Sequence, residues 1–225
     1  MRVKGLKEDI NGLIFDMDGL LVNSEHLYWQ ANIQAAKEYD LSIPEDSYLK
    51  LVGSSAKDME NFYHKYFKTI KLRDQFIKRT DELVWQWADE GKLKLRPGVQ
   101  EALDFFDQNH LKMSIASSNY DEYVQKFLWV TGIRNYFSFH LSYKDVLQDK
   151  LQPKPAPDIY LLAQEKMDLA KDELLVFEDS GTGVQAAASA GLDCIMVPDL
   201  KPASENDKKH ALICKDFYEV IDKIN

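Results

Sequence analysis

Four short stretches carry residue types that can do chemistry together. Asp16-Met17-Asp18-Gly19 sets two carboxylates two residues apart, and the glycine after them can turn the backbone sharply. Glu178-Asp179 is a second acidic pair, followed by Ser180-Gly181-Thr182-Gly183. Lys154 stands among prolines in Pro153-Lys154-Pro155-Ala156-Pro157-Asp158, a composition that predicts a stiff, extended mount. Ser117-Ser118-Asn119 supplies hydroxyl, amide and backbone N–H groups. Carboxylates forced together repel each other, and a divalent cation relieves that repulsion. A rigidly mounted ammonium can meet phosphate oxygens and offset clustered carboxylates. Hydroxyls and N–H groups at a strand-to-helix turn suit a phosphate.

Each stretch also has an ordinary structural explanation. A D-x-D is short enough to occur by chance, and its acids could form an Asx turn or a helix cap. Ser180 could cap a helix, although a cap does not need two adjacent acids before it. A loop lysine can simply be solvated, and Ser/Asn caps are common. Position separates these stretches from the ordinary readings.

Three of the four follow directly on short apolar runs: Gly12-Leu13-Ile14-Phe15, Met113-Ser114-Ile115-Ala116 and Leu174-Leu175-Val176-Phe177. A fourth run, Cys194-Ile195-Met196-Val197, stops at Pro198-Asp199. Apolar runs without alternation suit strands covered on both faces, as in parallel sheets. Between them lie helical patterns over 99–109, over 159–167 after Pro157, and over 183–190 before Gly191. Alternating strand and helix predicts an α/β fold with a doubly wound parallel sheet, which binds ligands at the carboxyl ends of its strands. Residues 24–92 break the rhythm with helical patterns over 26–39, 57–67 and 73–90 and no strand run. They read as an α-helical cap domain (23–92) inserted into a core domain formed by 1–22 and 93–225. Trp29, Trp85 and Trp87 fall at helical spacing there and read as cap core rather than as sugar platforms.

The composition narrows the partners. The 225 residues include 28 Lys+Arg and 37 Asp+Glu, a net charge of −9, which argues against wrapping DNA or RNA. With 45% hydrophobic residues the chain can bury a core. It has no apolar run of the ~18 residues a membrane span needs, and 1–9 lack the apolar region of a secretory signal. Cys194 and Cys214 lie in apolar stretches and read as reduced, buried thiols of a cytoplasmic protein.

Taken in order, the four stretches resemble the four motifs of the haloacid dehalogenase superfamily. Phe15-Asp16-Met17-Asp18-Gly19-Leu20-Leu21-Val22-Asn23-Ser24-Glu25 is similar to its opening motif. Lys154-Pro155-Ala156-Pro157-Asp158 and Glu178-Asp179-Ser180 are similar to those of its β-phosphoglucomutase-like phosphatase branch. The resemblance covers nearly the whole chain and implies a Rossmann-like core with a helical cap. It implies Asp16 as nucleophile forming an aspartyl-phosphate, Asp18 as general acid and base, and Ser117 and Lys154 as partners of the phosphoryl group. Mg²⁺ would be held by Asp16, Asp179 and the Asp18 backbone carbonyl, with Glu178 as a direct or neighbouring partner. Asn23, Glu25, Tyr28, Gly53, Ser54 and Ser55 are the cap-side candidates to face the substrate, and Ser118 and Asn119 the core-side ones.

The expected activity is hydrolysis of a small phosphorylated metabolite, such as a sugar phosphate, by a monomer with no nucleic-acid or membrane partner. The mutase of this branch carries a histidine where this chain has Tyr28 and an arginine where it has Ala56, so isomerisation is the alternative. A dehalogenase would not keep an acid at position 18. A receiver-like phospho-acceptor would be about half this length, without a cap or that second acid.

Overall fold

The computed structural model describes residues 1, 9–52, 54 and 56–224. Six strands form one parallel sheet: β1 (Gly12–Phe15), β2 (Lys112–Ala116), β3 (Phe139–Leu141), β4 (Leu174–Glu178), β5 (Asp193–Met196) and β6 (Leu212–Ile213). Their order is β3-β2-β1-β4-β5-β6, so the connection reverses direction between β1 and β4. Side chains of successive residues fall on opposite faces. Leu13 and Phe15 of β1 join one apolar cluster and Ile14 joins the other, as do Leu175 and Phe177 against Leu174 and Val176 of β4. Both faces are therefore buried, which explains the unbroken apolar runs Leu13–Phe15 and Leu174–Phe177.

Four helices stand between β1 and the rest of the sheet: α1 (Ser24–Glu38), α2 (Glu45–Leu49), α3 (Ala56–Tyr66) and α4 (Ile70–Asp89). The fourth starts earlier than its apolar pattern predicts because the Thr69 hydroxyl accepts from Leu72 N at 3.2 Å and caps it. Tyr48, Phe62, Phe67 and Phe76 form an aromatic core within this insertion, and Thr80 of α4 donates to Asn32 of α1 at 3.2 Å. Trp29 and Trp87 pack partly buried against the apolar cluster, as their spacing predicts, but Trp85 does not: it is 36% exposed. The two chain crossings into the insertion run side by side. Asn23 N donates to Lys94 O, Arg96 N to Leu21 O, and Val22 bridges Leu95.

The remaining helices cover the sheet: α5 (Val99–Gln108), α6 (Asp121–Thr131), α7 (Tyr143–Gln148), α8 (Asp158–Met167), α9 (Gly181–Ala190), α10 (Asp207–His210) and α11 (Phe217–Asp222). Gly191 ends α9 with φ +72°, as predicted. The edge strands β3 and β6 carry no apolar run long enough to announce them. Cys194 and Cys214 are free and buried. Among the described residues no helix is long and apolar enough to cross a membrane.

Phe15 sits at the centre of this packing, fully buried directly before Asp16. Its ring stacks on Phe177 at 4.8 Å and meets Phe106, Phe137 and Phe217. Phe15→Ala should cost ~3–5 kcal/mol in urea unfolding. A loss below ~1 kcal/mol would show that this ring does not anchor the strand.

Candidate active site

Strand register creates the site. Phe15 lies beside Phe177 on one side and Ile115 on the other, so Asp16, Glu178 and Ala116 come level at the carboxyl ends of three neighbouring strands. Asp16 N continues the ladder by donating to Phe177 O at 2.9 Å. Beyond Asp18 the chain turns at Gly19, whose φ is +73°. A Cβ there would stand 2.3 Å from Asp179 Oδ2, so position 19 needs glycine for both conformation and space.

Lys154 enters from the segment before α8. The prolines around it predict an extended mount, but the chain makes a turn: Ala156 N donates to Pro153 O at 3.0 Å, and the Lys154–Pro155 peptide is cis. The buried ammonium has three protons and uses them on three acceptors. They are Asp16 Oδ1 at 2.7 Å, Glu178 Oε1 at 2.7 Å and Ala116 O at 2.9 Å.

Glu178 is fully buried and engaged at both oxygens. Oε1 also accepts from Tyr160 OH at 2.5 Å, while Oε2 accepts from Asp179 N, Ser180 N and Ser180 Oγ at 3.1–3.3 Å. Ser180 Oγ in turn accepts from Gly183 N at 3.1 Å and caps α9.

Asp18 is held quite differently, by neutral donors. Ser24 Oγ donates to it at 2.8 Å, Asn119 Nδ2 reaches both oxygens at 3.2 Å, and Ser117 Oγ donates at 3.3 Å. Asn119 N donates to Ser117 Oγ at 3.0 Å and fixes that hydroxyl.

Burial dominates the electrostatics. It raises Asp16 to about 7; Lys154 pulls the other way, and Glu178 and Asp18 add to the rise. Burial raises Asp18 too, against its hydrogen bonds from Ser24, Asn119 and Ser117. Asp179 is pushed well up by burial and then by Glu178 and Asp16. For Lys154 burial works against the charged form, but Asp16 and Glu178 together outweigh it and raise it. Two buried carboxyls, Asp16 and Glu178, thus share one ammonium, with a third, Asp179, beside them. Asp16, Glu178 and Asp179 can each offer an oxygen within 4.8 Å of the others, an all-oxygen set suited to Mg²⁺ rather than to a metal that favours nitrogen or sulfur.

The residues expected to face the substrate divide. Glu25 lies against Gly19, and Tyr28 lies beside Asn119 within electrostatic reach of Asp18, both near the acids. Ser54 Oγ is buried without a hydrogen-bond partner among the described residues, and Ser118 is an exposed turn residue. Gly53 and Ser55 lie outside the described residues. Asn23 does not face the site. Its amide is taken by the second crossing, accepting from Lys94 N at 2.8 Å and donating to Lys92 O at 3.4 Å.

Three contributors carried no sequence signal strong enough to single them out. Tyr160 sits in the first turn of α8, and Ser24 lies inside the opening stretch. Arg96 precedes Pro97-Gly98 and donates to Gly19 O, to Val197 O at 3.0 Å and to Pro198 O at 2.9 Å, so it ties the turn after β1 to the end of β5.

The profile of the haloacid dehalogenase-like hydrolases matches residues 13–197. The chain belongs to this family. A curated relative, the phosphorylated carbohydrates phosphatase of Thermotoga maritima, is 31% identical over 186 residues, covering 83% of this chain and 84% of that protein. CbbY from Rhodobacter sphaeroides, solved with phosphate, superposes with a TM-score of 0.76 at 23% identity over 93% of this chain and 96% of that one. β-Phosphoglucomutase from Clostridium difficile gives 0.74 at 19% identity over 94% and 93%. At those identities the two structures speak for the fold. The chain stands on the phosphatase branch of the family.

In this hydrolase the close approach of α9 to Glu178 makes a separate demand. A Cβ on Gly183 would fall 1.8 Å from Glu178 Cδ. Gly183→Ala should therefore displace the carboxylate that holds Lys154 and lower phosphatase kcat at least ~10-fold, despite alanine's better helix propensity. Unchanged turnover in that variant would show that Glu178 does not position the lysine.

Proposed function

We propose that this hydrolase releases phosphate from a small phosphorylated metabolite of the carbohydrate class through an aspartyl-phosphate on Asp16. The observation that carries the reading is the unequal treatment of two acids two residues apart. Burial raises both acids, but Asp16 bears the Lys154 ammonium and belongs to the carboxylate set that could hold a metal, both of which favour an ionised nucleophile, whereas Asp18 has only neutral donors against its burial and is the one left to carry a proton. The named activity of the Thermotoga maritima relative supports the substrate class.

In the first step an Asp16 oxygen attacks phosphorus in line. The bond from phosphorus to the ester oxygen breaks, and Asp18 gives its proton to the departing alkoxide. In the second step the Asp18 carboxylate takes a proton from water as that water attacks phosphorus. The Asp16–phosphorus bond breaks, returning the carboxylate and releasing phosphate. Ser117 and the N–H groups of its turn bind phosphoryl oxygens, and Lys154 offsets charge on them and on Asp16. Mg²⁺, held by Asp16, Asp179 and the Asp18 carbonyl, would supply the remaining charge neutralisation. Glu178, already engaged at both oxygens, serves to hold Lys154. Residues 23–92 act as the cap, closing over the acids and excluding water, with 1–22 and 93–225 as the core.

Hydrolysis of p-nitrophenyl phosphate should require Mg²⁺ and stop on addition of EDTA; activity surviving chelation would sink the metal assignment. Asp16→Asn should lower kcat by roughly 10³-fold or more while the protein stays folded. Asp18→Asn should slow turnover ~10²–10⁴-fold. Because p-nitrophenolate leaves with little help from an acid, this variant should also accumulate a phospho-adduct visible by intact mass. An Asp18→Asn enzyme that turns over rapidly would refute the acid/base role.

A further inference from the structure

Tyr160 is fully buried, so its ring and its hydroxyl meet only the protein. The hydroxyl donates to Glu178 Oε1 at 2.5 Å, the same oxygen that accepts from Lys154 at 2.7 Å. The face of the ring lies against the Lys154 ammonium, with Nζ 4.7 Å from the ring centroid. One side chain therefore touches both members of a buried ion pair, the anion through its hydroxyl and the cation through its π face. A ring face attracts an ammonium, and more strongly where water is excluded. Burial, and then the Glu178 charge, push the phenol well above its ordinary value, so the hydroxyl keeps its proton and remains a donor. The backbone fixes the arrangement. Tyr160 N donates to Pro157 O at 3.0 Å, so the turn that carries Lys154 runs directly into the helix that carries Tyr160.

The need for such a group follows from how the ammonium is shared. Lys154 Nζ stands 2.7 Å from Asp16 Oδ1 and 2.7 Å from Glu178 Oε1. Only Asp16 forms the bond to phosphorus, so an ammonium drawn towards Glu178 is lost to the reaction. A carboxylate whose charge is already met by other donors competes less for a shared cation. Three donors serve Glu178 Oε2, from Asp179 N, Ser180 N and Ser180 Oγ, but that oxygen does not bind the lysine. On Oε1, the other donor among the described residues is Tyr160.

We propose that Tyr160 is a positioning residue that sets how the Lys154 ammonium is divided between Glu178 and Asp16. Its hydroxyl offsets the Glu178 charge and leaves the ammonium available to Asp16 and to the phosphoryl group. The role acts through Lys154 and Glu178, without contact to the substrate, and it rests on the phosphatase reading above.

The test is Tyr160→Phe, which keeps the ring and removes the hydroxyl, with a cooperative urea transition showing that the variant is folded. On p-nitrophenyl phosphate kcat should fall roughly tenfold or more while KM stays within about threefold, because the side chain is buried away from the substrate. The Lys154 ammonium signal in heteronuclear NMR, assigned by its loss in Lys154→Met, should shift in Tyr160→Phe as the lysine moves towards Glu178. A merely structural role would leave that signal in place. A kcat within about twofold of wild type, a loss carried by KM, or an unmoved Lys154 signal beside a lowered kcat would overturn the proposal. A wild type inactive on every phosphate ester would instead remove the phosphatase reading beneath it, and the Lys154 signal would still report whether the tyrosine holds the lysine.

Discussion

The Lys154 ammonium is the interaction on which the rest of the site depends. It is buried, yet it bonds groups from three strands: Asp16 after β1, Ala116 of β2 and Glu178 of β4. A buried cation is costly unless every proton finds an acceptor and the charge is matched. The parallel register meets both conditions by bringing three strand ends level. Removing any one acceptor would leave the others around an underpaired charge, so the sheet's geometry and the site's electrostatics are one constraint.

From that clamp follows the division between the two acids after β1. Asp16 and Asp18 point into different surroundings although only Met17 separates them. Met17 is itself buried and pins the chain between them. Gly19 then lets the backbone turn away and lets Asp179 approach, which places a third acid in the cluster without lengthening the loop. Under the proposed mechanism, environment rather than residue type would separate the group that bonds to phosphorus from the one that moves a proton.

The insertion depends on the same turn. Arg96, on the return crossing, holds the Gly19 carbonyl, and Asn23 binds the two crossings together. Both crossings therefore meet the turn that follows Asp18.

Much of this was legible along the chain. The strands flanking the chemistry are buried on both faces, so they are continuously apolar and can be read without a partner. The acids, Ser117 and Lys154 stand directly after such runs or within a proline-marked turn. Local composition therefore determined the sheet class, the helical insertion and the residues able to do chemistry. Other features arise only when distant segments meet. The two-residue β6 exists because β5 offers it a ladder, and the proline segment turns because Lys154 must reach Asp16. Glu178 becomes a holder of the lysine because α9 and Tyr160 occupy its oxygens, and Asn23 is drawn to a crossing 71 residues away. Residue type sets which chemistry is available; burial and pairing, which depend on contacts remote in sequence, decide which group performs it.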